Sequence, residues 1–116
     1  MVMVTGDDPV HGVHLLKDYI VHTHVKNGIR HQPVDPRDVY GAVGYQPLDH
    51  QRIAELVSSG AIFQEVPLGE GKVDFDAYFA ALQESGYGGD LTIEREVGDA
   101  PERDIERAVS FIRQYR

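Results

Sequence analysis

Apolar positions recur along this chain with two different spacings, and the alternation between them predicts the elements. A short apolar run, Met1 to Val4, stops at Thr5-Gly6-Asp7-Asp8 and reads as the end of a strand. Pro9 then opens a helix with Val10, Val13, Leu16 and nearby Leu15 toward one side. Asp8 suits its cap, because a carboxylate can accept from the free amides of the first turn and proline needs no partner there. Tyr19 to Val25 is β-branched and apolar apart from His22 and His24, and reads as a buried strand. Lys26 to Leu68 holds four of the six prolines and reads mostly as a long loop. One helix is embedded in it, capped by Asp49, with Ile53, Leu56 and Val57 on one face and a stop at Ser59-Gly60; Tyr40 and Tyr45 precede it. Ala61 to Val66 is a short apolar stretch.

The clearest helix follows Asp74, with Phe75, Tyr78, Phe79 and Leu82 at i, i+3, i+4 and i+7 and a stop at Ser85-Gly86. Leu91 to Val97 reads as a strand, and the last helix starts near Pro101 with Ile105, Ala108, Val109 and Ile112 on its apolar face. Strands alternating with helices predict right-handed βαβ units and a parallel sheet, hence an α/β fold.

Size and charge narrow the picture. The 116 residues fit one modest domain, or a piece of one, and fall short of the roughly 250 that a complete (β/α)8 barrel usually needs. Hydrophobic residues at 41% and charged residues at 26% are ordinary for a globular chain. A net charge of -8 opposes a polyphosphate backbone, so no nucleic-acid partner is expected. The N-terminus has no basic stretch and too few apolar residues for a signal peptide or a membrane span, so no membrane partner is expected. The absence of cysteine excludes disulfides and thiolate metal sites and is compatible with a cytoplasmic location.

Candidate chemistry lies at strand ends. Side chains alternate along a strand, so His22 and His24 share a face, as do Glu94 and Glu96. His24 and Glu94 stand toward the C-terminal ends of their strands, where parallel sheets carry their sites. A hydrogen-bonded histidine and solvated edge carboxylates are the structural alternatives. His11 and His14 lack an acidic companion at ligand spacing and read as surface. Gly69-Glu70-Gly71 lacks the third glycine of a dinucleotide loop; a plain turn and anion contact both remain open for it.

His22-Thr23-His24-Val25-Lys26, then Glu65 to Gly71, then Gly86-Tyr87 leading into Leu91-Thr92-Ile93-Glu94, together resemble the C-terminal part of the xylose-isomerase-like sugar phosphate isomerases and epimerases. The resemblance runs nearly end to end and implies a partial (β/α)8 TIM barrel, its last two to three βα units, with residues 1–116 as the C-terminal segment of the barrel domain. It implies a divalent metal, Mn²⁺, Mg²⁺ or Co²⁺, held by Glu, Asp, His and Glu at four late strand ends. His24 would be the histidine ligand and Glu94 the last glutamate, both ligand and proton carrier. Lys26, His22 and Arg30 would face a sugar or sugar phosphate. The strands expected to carry the other Glu and Asp are missing, and the family's usual Lys-Asp is Lys26-Asn27 here.

The implied reaction is proton transfer next to a carbonyl through an enediolate. A second hypothesis is a noncatalytic or truncated barrel fragment that self-associates or needs a complementing N-terminal segment. The third, an apurinic-site endonuclease of the same superfamily, wants more late-strand histidines and aspartates than this chain offers.

Overall fold

The computed structural model describes residues 5–40 and 50–115. The chain divides into two compact units, one made of Met1–Asp7 and Ile29–Gln64, the other of Asp8–Gly28 and Glu65–Arg116.

The second unit contains the candidate site. It begins with α1 (Pro9–Leu16), started as expected: Val10 N–H donates to Asp8 Oδ1 at 2.9 Å and proline stands at the first helical position. Only Val13 of this helix is buried. Leu15 and Leu16 are exposed, and a short 3-10 segment, Lys17–Tyr19, follows them.

That turn also corrects the expected strand from Tyr19. Strand β1 covers only Thr23–Val25, while Tyr19 and Val21 stand exposed ahead of it. Apolar character alone does not hold a residue in a strand whose partner is three residues long. Within β1 the alternation is as read: Thr23 and Val25 are buried and His24 between them is exposed.

Strand β1 pairs in parallel with β4 (Leu91–Ile93), in the register Thr23 with Leu91, His24 with Thr92 and Val25 with Ile93. Thr23 Oγ1 donates to Asp90 O at 3.2 Å and Glu94 N–H donates to Val25 O at 3.2 Å, so both ends of the pairing are tied. The expected strand to Val97 therefore stops at Ile93. The side chains of Glu94, Arg95 and Glu96, just past the strand, enter an ion-pair cluster, described below.

Helix α4 (Phe75–Glu84) is capped by Asp74, whose carboxylate accepts from Ala77 N–H at 3.0 Å, and it ends where Gly86 takes φ +75°. Its apolar stripe is the core: Phe75, Phe79, Ala81 and Leu82 are buried together with Val13, Val25 and Ile112, and Leu91 and Ile93 pack on them. Phe79 stacks on Phe75 and meets Tyr115 with ring centroids 4.6 Å apart. Helix α5 (Pro101–Ile112) buries Ala108 and Ile112, whereas Ile105, expected on the same face, is exposed.

The region from Lys26 to Leu68, expected to be mostly loop, carries more order. Strand β2 (Asn27–Arg30) follows β1 after one residue and pairs with β3 (Phe63–Val66). Between them lie α2 (Pro36–Tyr40) and α3 (His50–Ser58), which ends where Gly60 takes φ +72°. Four prolines did not preclude strands, because they lie outside both of them. Ile62 is fully buried, and its carbonyl accepts from His31 and Gln32 N–H. Met1 to Val4, Tyr45 and the Asp49 cap lie outside the described residues, and the side chain of Tyr40 does too.

Candidate functional site

One face of the β1–β4 pair packs on the core, so the residues of opposite parity stand on the other face. His22, His24, Thr92 and Glu94 meet there. His24 Nδ1–H donates to Glu94 Oε2 at 2.9 Å. The rings of His22 and His24 meet edge to face with centroids 5.2 Å apart, and His22 Nε2 is hydrogen-bonded to Thr92 Oγ1 at 3.2 Å. Parallel register brings this about: Thr92 lies opposite His24, so Glu94, two residues on, reaches back across the strand end.

Beside this group, and sharing Glu94 with it, lies a charged cluster. Lys26, the residue after β1, is 20% exposed and its ammonium touches three carboxylates: Glu65 Oε2 at 2.9 Å, Glu94 Oε1 at 3.6 Å, and Glu96. Glu65 on β3 is buried, and its other oxygen accepts from Arg95 Nη1 at 2.8 Å and from Glu96 N–H at 2.9 Å. Arg95 in turn donates to Asp104 in the first turn of α5 at 2.8 Å. A buried carboxylate is tolerable only with such partners.

The charge states follow. Burial alone would raise the Glu65 carboxyl, but hydrogen bonds from Lys26, Arg95 and the Glu96 amide outweigh it and hold it below its ordinary range. The hydrogen bond from His24, opposed by slight desolvation and helped by the Lys26 charge, holds Glu94 low as well. Burial would lower the Lys26 ammonium, yet Glu96 and Glu65 raise it. Lys26 and Glu65 therefore face each other as a charged pair at neutral pH.

The sequence-based candidates thus separate. His22, His24, Lys26 and Glu94 come together. Lys26 is engaged by carboxylates rather than open to a substrate. Arg30, exposed at the end of β2, belongs to the first unit, with its guanidinium against Gly6. Glu65 begins one of the stretches that carry the family resemblance, but its ion pairs with Lys26 and Arg95 have no local signal beyond a glutamate inside the apolar Ala61 to Val66 stretch, which only a cationic partner makes tolerable.

An imidazole nitrogen and a carboxylate oxygen within one hydrogen bond of each other suit two positions around a hard or borderline divalent ion. They fit half of the expected set. Among the described residues no group of three or more His, Asp or Glu side chains could hold an ion. No helix among them is long and apolar enough to cross a membrane.

Parallel strands with polar side chains converging at their C-terminal ends mark a chain of the α/β class, barrel or open sheet. Comparison with known proteins names the family. The chain belongs to the xylose isomerase-like TIM barrel family, whose model matches residues 1–115. An inosose dehydratase of Lacticaseibacillus casei is 31% identical over 108 residues, 93% of this chain and 32% of that protein. An L-ribulose-5-phosphate 3-epimerase UlaE of Salmonella paratyphi C (strain RKS4594) is 39% identical over 54 residues, 45% of this chain and 19% of the epimerase. The crystal structure of a xylose isomerase domain protein from Planctomyces limnophilus superposes with a TM-score of 0.63 at 25% identity, covering all of this chain and 32% of that one. The fold is therefore a partial TIM barrel, and the chain spans a third or less of these relatives.

Proposed function

We propose that this chain is the C-terminal segment of a metal-dependent sugar or sugar phosphate isomerase or epimerase. The observation that carries this reading is the His24–Glu94 pair, hydrogen-bonded across the C-terminal ends of two adjacent parallel strands. A bound Mn²⁺, Mg²⁺ or Co²⁺ would act as a Lewis acid toward the negative charge that develops on substrate oxygens. His24 and Glu94 would hold it.

The remaining chemistry rests on the chain's own residues. The Glu94 carboxylate is ionised and fixed by His24 on one oxygen, so it can accept the proton removed from the carbon beside the carbonyl and return it to a neighbouring position or face. His22, oriented by Thr92 and the His24 ring, stands beside it to hydrogen-bond a substrate hydroxyl. The similar proteins of Lacticaseibacillus casei and Salmonella paratyphi C, an inosose dehydratase and an L-ribulose-5-phosphate 3-epimerase, support a sugar-type substrate for this reading.

A second reading is favoured by the donor count: with two ligand-type side chains converging among the described residues, the chain acts only when other βα units supply the rest. The test is Mn²⁺ titration of the isolated chain, followed by paramagnetic broadening of backbone signals. Loose binding centred on His24 and Glu94, lost in His24→Ala and Glu94→Gln, is expected. Broadening elsewhere, or broadening indifferent to both substitutions, would refute the assignment.

A further inference from the structure

We infer that Glu65 is a positioning residue that acts on Glu94 through Lys26: it holds the lysine ammonium back so that the Glu94 carboxylate stays open to a cation. The inference rests on the reading of Glu94 as a metal ligand. Its ground is the unequal sharing of one ammonium. Lys26 Nζ lies 2.9 Å from Glu65 but 3.6 Å from Glu94, so it is bonded to the first and only near the second. Glu96 bonds the same ammonium but is 65% exposed, where solvent screens it, whereas Glu65 is the least exposed of the three carboxylates, at 6% against 33% for Glu94, so its charge is the least screened.

Glu65 itself cannot drift. Its second oxygen is fixed by Arg95 Nη1 and the Glu96 amide, and Arg95 is anchored on Asp104 at the start of α5. The chain of contacts therefore runs from a helix N-terminus, through two buried ion pairs, to the ammonium that sets the charge beside Glu94. If Glu65 lost its charge, Lys26 would have its remaining carboxylates in Glu94 and Glu96, and the nearer approach to Glu94 would place a fixed positive charge on the oxygen a divalent ion needs. Lys26 and a metal ion compete for one carboxylate, and Glu65 decides the competition.

The test is epistasis between Glu65→Gln and Lys26→Met in the 116-residue chain. Mn²⁺ affinity is read from paramagnetic broadening, and the Glu94 side-chain carboxyl ¹³C shift is read without metal. Glu65→Gln is expected to weaken Mn²⁺ binding at least about threefold and to move the Glu94 signal when Lys26 is present, with neither effect in the Lys26→Met background. Lys26→Met alone is expected to tighten binding on the order of tenfold, since it removes a positive charge beside a site for a doubly charged ion. Equal effects of Glu65→Gln in both backgrounds would mean that it acts by general destabilisation and would overturn the relay, as would no effect in either. If Glu65→Gln does not fold, Lys26→Met decides alone, and unchanged or weaker binding overturns the inference. If wild-type Mn²⁺ binding is indifferent to His24→Ala, the metal reading falls, and the ¹³C shift in metal-free protein still decides whether Glu65 governs Glu94 through Lys26.

Discussion

Replacing Glu65 with alanine should be the costliest single change at a polar position in the second unit. The side chain is 6% exposed and makes three charge-assisted hydrogen bonds, from Lys26, Arg95 and the Glu96 amide. Removing one partner of a buried ion pair costs roughly 3–5 kcal/mol. Here Arg95 keeps Asp104 and Lys26 keeps Glu94 and Glu96, which places the cost at the low end, while the Glu96 N–H loses its acceptor. The net estimate is about 3 kcal/mol. At this chain length roughly 4 °C of melting temperature accompanies each kcal/mol, so thermal unfolding followed by circular dichroism should show a drop of about 12 °C. Glu65→Gln should lose less, because an amide oxygen in place of Oε1 still accepts two of the three bonds, those from Arg95 and the Glu96 amide. Its difference from wild type should also depend on pH with a defined sign. The Glu65 carboxyl has an ordinary pKa of 4.5 and a lower one when folded, so its stabilisation is complete above 4.5 and is lost as pH falls through the folded value. The gap between wild type and Glu65→Gln should therefore shrink on acidification. A loss below about 1 kcal/mol for Glu65→Ala, or a gap that widens toward low pH, would refute the reasoning.

Phe79→Ala should cost about 3–5 kcal/mol in urea unfolding, because the ring is 4% exposed, stacks on Phe75 and packs at a tilt against Tyr115. Gly71→Ala should cost about 1–3 kcal/mol by the same assay, since a Cβ there would collide with Asn27 Oδ1 and come within 2.7 Å of Gly28 O. Sedimentation of the isolated chain should show self-association that Val21→Asp and Tyr19→Ser reduce, because these two side chains are 88% and 80% exposed next to an open strand pair; a monodisperse monomer would contradict this.

Helices with strong periodicity were legible in the sequence, and short strands were not. The Phe75, Tyr78, Phe79, Leu82 stripe and its Asp74 cap fix α4 locally, since every determinant lies within ten residues. Strand bounds depend on partners far along the chain: β1 ends its pairing where Ile93 does, and β2 exists because β3 lies beside it, more than thirty residues later. The same holds at the site. Alternation placed His22 with His24 on one face, and the resemblance paired His24 with Glu94. Nothing local marked Lys26 as captive, because the carboxylates that hold it arrive from β3 and from the residues after β4. Asn27 is similar: its Oδ1 accepts from Gly28 and Val73 N–H, a clamp on the loop before α4 invisible without the fold.

The central claim is that His24 and Glu94 serve a proton transfer next to a sugar carbonyl. It is tested most directly by co-expressing the chain with the preceding βα units of a family member and incubating the complex with Mn²⁺ and a ketose phosphate in D₂O. The account predicts deuterium incorporated at the carbon beside the carbonyl, abolished by His24→Ala and by Glu94→Gln and reduced less by His22→Gln. Incorporation that survives Glu94→Gln unchanged would contradict it.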